Sequence, residues 1–538
     1  MRYYYFWNVL CAVISKTARL PVRAVFVASC VWVGFILAAL CGLYLKHFLG
    51  AGKRLRITFL RTIALLAVTG IGASLDLLSL LGLKGAQIEG PAEDRVPSWL
   101  VSFFFVPHHV ASMLCCMLAF LLAWMAAKSP APQRAASLIL IALSLASAFG
   151  LSIYVSFAFF LVMLVWAIWQ VLIERSSHAA FLLMASGVAA IVLLLPYLSE
   201  LTQDKSKMQG GALFSFSVRE IILPDSLMTS GIFHHLAIGH PLLTLNLAKL
   251  ILLIPGYALE LGFYFAILLI CLIPSWHGRA LLTSEQRSLV FIGVTTIPLI
   301  SLVRSGVLDI NDFGVRGALP MQFALLLLAS DVTSRWSDAR TAPVDSDNAK
   351  CPQFQVPSWL RSLASLALIL GVVGFAYQAF MLRFFLPIAG TAHDLSANIS
   401  VNNLSHDAYI SAIGYMQLDK SIPRDAITQF NPVVRESFLW TSVDLLGIDR
   451  QAAISSDQPW CGAEFGGDPS GCAPMAAAID AVYGGTSAER ALAVCQRYGI
   501  QYLVARVYDP AWKDKSGWVW TLPPVVQDPE FRAVDCRQ

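Results

Sequence analysis

Pro107, His108 and His109 open an otherwise unbroken apolar run, FFFVPHHVASMLCCMLAFLL at 103–122. Two adjacent imidazoles at such a mouth can exchange a proton near neutral pH or touch a phosphate or sugar. Further along, NDFGVRG at 311–317 sets Asp312 and Arg316 four residues apart, the spacing of a helical ion pair, with Gly314 permitting a turn between them. A guanidinium placed there can grip a phosphate through two parallel hydrogen bonds. Asp76 follows TGIGAS, the stretch 84–102 holds Glu89, Glu93 and Asp94, and Arg304 and Asp309 stand just before the 311–317 run. The pattern suits acid–base work beside a bound phosphate. Asp76, Glu93 or Asp94 would supply the base, His108 and His109 would line the acceptor side, and Arg304, Asp312 and Arg316 would sit at the phosphate. Two plainer readings stay open beside it: a structural Asp–Arg pair, and interfacial histidines bonded to backbone or headgroups.

A metal site is less attractive. Adjacent histidines point to different sides of a helix, and no HExxH or His-x-His pattern is present. FHHLAIGH brings His234, His235 and His240 together without a cysteine, and an amphipathic surface helix explains it as well. Lys205, Lys207 and Arg219 on the same stretch can meet anionic headgroups or pyrophosphate, although a solvated face is the commoner use of such charges. Walker, GxGxxG and GxSxG signatures are missing, so no organic cofactor is expected.

Positioning these groups falls to a membrane domain. Of 538 residues 57% are hydrophobic and 13% charged, and the mean hydropathy is +0.65, far outside soluble globular usage. A net charge of +4 gives nucleic acid no electrostatic footprint. Apolar runs long enough to span lie at about 24–45, 57–80, 103–127, 135–149, 152–173, 179–197, 256–275, 288–303, 317–333 and 363–386, roughly ten helices. Segment 243–255 runs apolar up to Pro255-Gly256, where a kink or half-helix is expected. Lys and Arg collect in alternate loops, around 46–56, 128–134, 175, 279–287 and 335–350. With those loops inside, the outer face receives 84–102, 198–243 with its expected surface helices, 304–316 and the tail from 388. Lys16, Arg19 and Arg23 dissent, because the same topology puts them outside.

Domain boundaries follow: a membrane domain over 1–387, with a cytoplasmic linker at 334–360, and an extracytoplasmic α/β domain over 388–538. Tyr3 to Ile14 is too short to span and reads as an interfacial helix without a cleavable leader. In the tail, Met475 to Tyr483 and Ala488 to Tyr498 read as helices, QYLVARV at 501–507 as a strand and WVW near 518–520 as another. Seven cysteines lie in or beside the apolar part. The remaining four, Cys461, Cys472, Cys495 and Cys536, suit an oxidising compartment. Cys461 and Cys472 can close a small ring and Cys495 and Cys536 can tie the penultimate helix to the C-terminus, with the other pairings open.

These pieces resemble the GT-C superfamily of polytopic glycosyltransferases that use polyprenyl-phosphate-linked sugars. The residues that carry the resemblance are YYYFWNVL at the start, TGIGASLDLL leading to SWLVSFFFVPHH, NDFGVRGALPMQF, and the closing CQRYGIQYLVARVYDPAW. The resemblance implies a GT-C-like helical membrane protein with a soluble α/β domain in the bacterial inner (plasma) membrane. It implies inverting transfer of a sugar from a polyprenyl phosphate to an envelope acceptor, with a carboxylate as general base. Membrane lipids and the lipid-linked sugar are the expected partners, with no cofactor besides that donor. In the superfamily the key carboxylate sits in the first external loop. Here YYYFWNVL resembles the helix closing that loop, so the first span and its carboxylate have no counterpart: either the chain is a shortened version, or the activity is lost, or another carboxylate such as Asp76, Glu89, Glu93 or Asp94 has taken over. Two other classes compete: a non-catalytic assembly or anchoring protein, and a transporter. The transporter is disfavoured by the lack of matching broken-helix repeats and of charge at mid-span.

Overall fold

The computed structural model describes residues 5–80, 95–203, 214–221, 241–272, 282–305, 312–341, 357–381, 413–432, 448–454 and 469–537. Two compact units result: Met1–Ser29 with Ser199–Gln209 and Phe380–Gln538, and Cys30–Leu198 with Gly210–Ala379. The protein is an α-helical polytopic membrane protein with a C-terminal α/β fold.

Fifteen helices precede the tail among the described residues. They are α1 (Tyr5–Ala18), α2 (Val22–Leu43), α3 (Leu55–Leu65), α4 (Gly72–Leu80), α5 (Trp99–Phe105), α6 (Pro107–Ala127), α7 (Ala131–Leu151) and α8 (Ile153–Leu172). After these come α9 (His178–Gln203), α10 (Pro241–Leu261), α11 (Phe263–Leu272), α12 (Ser284–Leu302), α13 (Asp312–Arg316), α14 (Leu319–Thr341) and α15 (Ser358–Phe380). Eight helical stretches among them are long and apolar enough to cross a membrane.

The expected span 57–80 is not one helix. It breaks between α3 and α4, where Thr69 N–H donates to the Gly371 carbonyl at 3.1 Å and Ile71 N–H to that of Leu259 at 2.7 Å. The half-helix expected to end at Pro255-Gly256 does not end there, because α10 runs through Pro255 and stops at Gly262, whose φ of 51° turns the chain into α11. Segment 243–255 is therefore part of a candidate span, and 256–275 is split. Strand β1 (Phe214–Phe216) pairs antiparallel with β2 (Val303–Ser305), so this part of 198–243 is a ribbon instead of the expected surface helix.

The core of the helical unit is aromatic and small-residue packing: α14 is buried over most of 319–334, and Tyr44, Phe48, Phe120, Trp124 and Trp166 interlock around α6. Gly70 marks the tightest approach, since a Cβ there would fall 2.0 Å from the Glu260 carbonyl oxygen.

In the other unit, strands β3 (Thr428–Gln429), β4 (Tyr502–Arg506), β6 (Phe531–Asp535) and β5 (Pro524–Gln527) form one sheet in that order, with β3 parallel to β4 and the rest antiparallel. Alternation along β4 sends Leu503 and Ala505 to one core, with helices α17 (Pro469–Tyr483) and α18 (Ala488–Tyr498), and Tyr502 and Val504 to a second with Phe531 and with Leu418 on helix α16 (413–421). Ser487 caps α18 and Gly499 closes it in the left-handed region. The expected WVW strand is a helical turn, Trp518–Thr521, in which Trp518 is fully buried and donates its indole N–H to the Val482 carbonyl at 2.9 Å. Cys495 and Cys536 are joined, with Cα atoms 6.1 Å apart.

Candidate functional site

Charged groups collect at both ends of the helical unit, with different partners at each. Helix α6 has 21 residues and so is about 30 Å long. It begins at the histidines and ends at Lys128, which pairs with Glu285 at 3.5 Å. Arg287 with Glu174 and Arg335 with Asp331 share that far end. Asp76, His108, His109, Arg304 and Arg316 gather at the near end, where α6 and α8 start, α12 stops and α14 begins.

At the near end a cavity of about 220 Å³ is lined by Gly70, Asp76, Arg95, Ser98, Glu260 and Gln378, among others. The turn after α3 forms its floor, and the Gly70 contact with α10 leaves room for no side chain there. Asp76 projects from α4 and takes Arg95 Nη1 at 3.2 and 3.3 Å. Glu260, in the last turn of α10, takes Arg219 Nη2 at 2.9 Å, both side chains being under 5% exposed, and the Val96 N–H at 3.1 Å. Arg219 also lies 5.1 Å over the Tyr257 ring, and its own N–H donates to the Ser301 carbonyl at 2.8 Å. Burial opposes the Arg219 charge, but Glu260 and Tyr257 outweigh it and hold the guanidinium pKa above its ordinary value. Ser98 caps α5 through the Val101 N–H and donates to Gln378 at 2.6 Å, while Gln322 donates to the Pro97 carbonyl at 2.7 Å. Two carboxylates, each clamped by its own arginine, thus face one small space.

The histidines lie one short helix away. His109 is 1% exposed and its Nδ1 is 2.7 Å from Ser152 Oγ, the N-cap of α8. The two rings stand 4.1 Å apart, and Arg316 is within electrostatic range of both. Arg316 is placed there by a ring cluster: Phe157 stacks on Phe214 at 4.4 Å, and Phe313 meets both edge-on. Arg304, on β2 at the same end, is turned to another partner, Glu220 at 3.9 Å, which also takes Lys249 Nζ at 2.7 Å. Lys249 puts a buried cation inside a candidate span, against the expectation of almost uncharged mid-spans.

Of the residues singled out in the sequence, Asp76, His108, His109 and Arg316 lie at this end of the helices, but the structure divides them. The lining of the cavity includes Asp76 and neither histidine nor Arg316. Sequence reasoning passed over Glu260 and Arg95, and took Arg219 for a loop cation. A lone carboxylate in the apolar stretch 241–272 was the available signal. Glu89, Glu93, Asp94, Asp309, His234, His235, His240, Lys205, Lys207 and Cys461 lie outside the described residues, as do the side chains of Asp312 and Cys472.

No protein-family model matches this sequence, and no curated protein matches it. Among solved structures, the archaeal oligosaccharyltransferase AglB from Archaeoglobus fulgidus, in complex with an inhibitory peptide and a dolichol-phosphate, is 11% identical with a TM-score of 0.40. That alignment covers 94% of this chain and 62% of that one. The apo oligosaccharyltransferase of the same organism is 12% identical, with the same coverages and a TM-score of 0.39. The form tethered with an acceptor peptide is 12% identical over 94% of this chain and 61% of that one, also at 0.39. This chain thus spans less than two thirds of those proteins, and a likeness at this level bears on neither substrate nor mechanism.

Proposed function

We propose that the chain is a membrane-embedded glycosyltransferase of the GT-C kind. It moves a sugar from a polyprenyl-phosphate donor to an acceptor hydroxyl of the cell envelope, at the membrane face bearing Asp76. The observation that supports this reading is the cavity in which Asp76 and Glu260 converge beside the Arg316–histidine cluster at one end of the helices. Asp76 is the accessible carboxylate, its side chain 38% exposed against 4% for Glu260. It takes the acceptor proton as the acceptor oxygen bonds to the anomeric carbon, and the bond from that carbon to the phosphate oxygen breaks. Arg316 holds the departing polyprenyl phosphate, with Arg304 further along the same face. Arg95 orients Asp76. Glu260 is a positioning residue, fixing 96–98 and Arg219 around the cavity. The reading sets the chain in the bacterial plasma membrane with the α/β unit extracytoplasmic, and the Cys495–Cys536 link suits that compartment.

The test is transfer from a radiolabelled polyprenyl-phosphate hexose in proteoliposomes, using envelope extract as acceptor. Asp76→Asn should lower turnover by about 100-fold or more with the melting temperature nearly unchanged. Arg316→Ala should raise the donor KM. Wild-type transfer in both variants, or none by the native chain with any polyprenyl-phosphate hexose, would overturn the reading and leave the assembly or anchoring role.

A further inference from the structure

The turn between α1 and α2 carries Lys16, Arg19 and Arg23, the cluster that the charge pattern of the loops does not accommodate. This turn forms one wall of a cavity of about 460 Å³ within its own compact unit, lined by Ser15, Arg19, Val22, Arg424, Asp449 and Arg450, among others. Of the three non-glycine residues with left-handed backbone among those described, two line it: Arg19 at φ 53° and Asp449 at φ 54°. L residues hold that conformation only where their surroundings enforce it, and such residues concentrate at binding sites. Here Ser15 Oγ donates to the Leu20 carbonyl at 2.7 Å, and the Arg23 N–H donates to the Asp449 carboxylate at 3.2 Å.

The three guanidinia differ in what they already hold. Arg450 is buried and taken up by Asp419 at 3.0 Å and by the carbonyls of Ile422 and Ile448. Arg19 and Arg424 are exposed and have no ion-pair partner among the described residues. The carboxylate in the lining, Asp449, is engaged by a backbone N–H. An anion with several oxygens is the complement of two such forks.

Position narrows the anion further. Val22, in the lining, is the first residue of a candidate span, Val22–Phe48, so the cavity lies beside the start of an apolar helix long enough to cross a membrane. Leu20 and Val22 in its lining are exposed large apolar side chains, as are Leu10 and Val13 on α1 and Val27 on α2, the two helices that this turn joins. A soluble anion uses only the arginines, whereas an amphiphile uses both surfaces.

We infer that this cavity binds the phosphate of an anionic membrane lipid, gripped by Arg19 and Arg424 with its acyl chains along α1 and α2. The basic cluster is then a headgroup site on whichever face it lies.

The full chain in neutral detergent is titrated with short-chain phosphatidic acid, phosphatidylcholine of the same chain length, and inorganic phosphate, reading melting temperature and retention of bound molecules by native mass spectrometry. Phosphatidic acid should bind and raise the melting temperature, with phosphatidylcholine at least about tenfold weaker. Arg19→Gln and Arg424→Gln should each weaken it about fivefold and together about 25-fold, while the double lysine variant retains most of the binding. Phosphate binding as tight as the lipid would overturn the lipid assignment in favour of a free-anion site. Unchanged phosphatidic acid binding in the double glutamine variant would overturn the site itself. Arg19→Gly, which relieves the left-handed turn, provides a folded control that should lose binding as Arg19→Gln does.

Discussion

The helical unit and the α/β unit bury arginine in different company. In the first, Arg219 meets the Glu260 carboxylate beside an open cavity. In the second, Arg450 pairs with Asp419 at 3.0 Å and is otherwise wrapped by carbonyls, while Arg506 sits 4.8 Å over Phe531, with its Nη2 2.6 Å from the Tyr415 hydroxyl and the Tyr508 hydroxyl also bound. A buried cation matched by a full opposite charge is costly to leave alone, while one matched by dipoles and ring faces is distributed over many weak partners. The first arrangement fixes one matched pair at the edge of a cavity; the second spreads a cation over the scaffold.

The sharpest way to break this contrast is Glu260→Ala, which strands Arg219 in an apolar site. It should destabilise the helical unit by about 3–5 kcal/mol, seen as a large drop in its calorimetric transition in detergent, and adding Arg219→Met should recover much of the loss. A double variant that melts no higher than Glu260→Ala would show that the pair does more than neutralise itself. In the α/β unit the largest expected effect comes from the link instead of a charge. Cys495 and Cys536 close 41 residues of chain, and replacing both by alanine should cost about 2–4 kcal/mol in the unfolding of that unit, leaving the helical transition in place.

Arg506→Met should then cost only about 1–2 kcal/mol by denaturant titration, since the ring packing survives and two tyrosine hydroxyls lose a partner. A loss as large as that of Glu260→Ala would erase the distinction drawn between the units. The smallest effect is in pH. A hydrogen bond from Arg537, outweighing burial, lowers the Asp535 pKa. A depressed carboxylate contributes stability that is complete above its unfolded value of about 4 and is lost as pH falls through the folded value, so Asp535→Asn should lower stability slightly at neutrality, flatten the small acid-side slope below about pH 4, and match the native chain at still lower pH.

How much of this was legible differs from element to element. Helix α18 could be read from Ser487, Glu489 and Gly499, because caps are local chemistry. The turn at Trp518 could not, because apolar residues without a period are compatible with strand or helix until the Val482 carbonyl claims the indole. Pro255 looked like a helix end and was not one. The end fell at Gly262, beside the approach of Gly70 to α10, a contact between residues 190 positions apart. In the candidate site, Arg316 and the histidines stood out as polar groups at span ends, whereas Glu260 was absorbed into an apolar run.

By itself the sequence determined that the chain is built of apolar helices, where most begin and end, and that a different, sheet-forming composition takes over near the C-terminus. Those properties depend on hydropathy and on residues a few places apart, which any reading along the chain can see. Only the tertiary structure decided that Glu260 faces Asp76, that Arg219 neutralises it, and that the misplaced basic turn meets Arg424 across a cavity. Each of these joins side chains distant in sequence, and which carboxylate an arginine finds depends on how the helices pack, information that no local spacing contains.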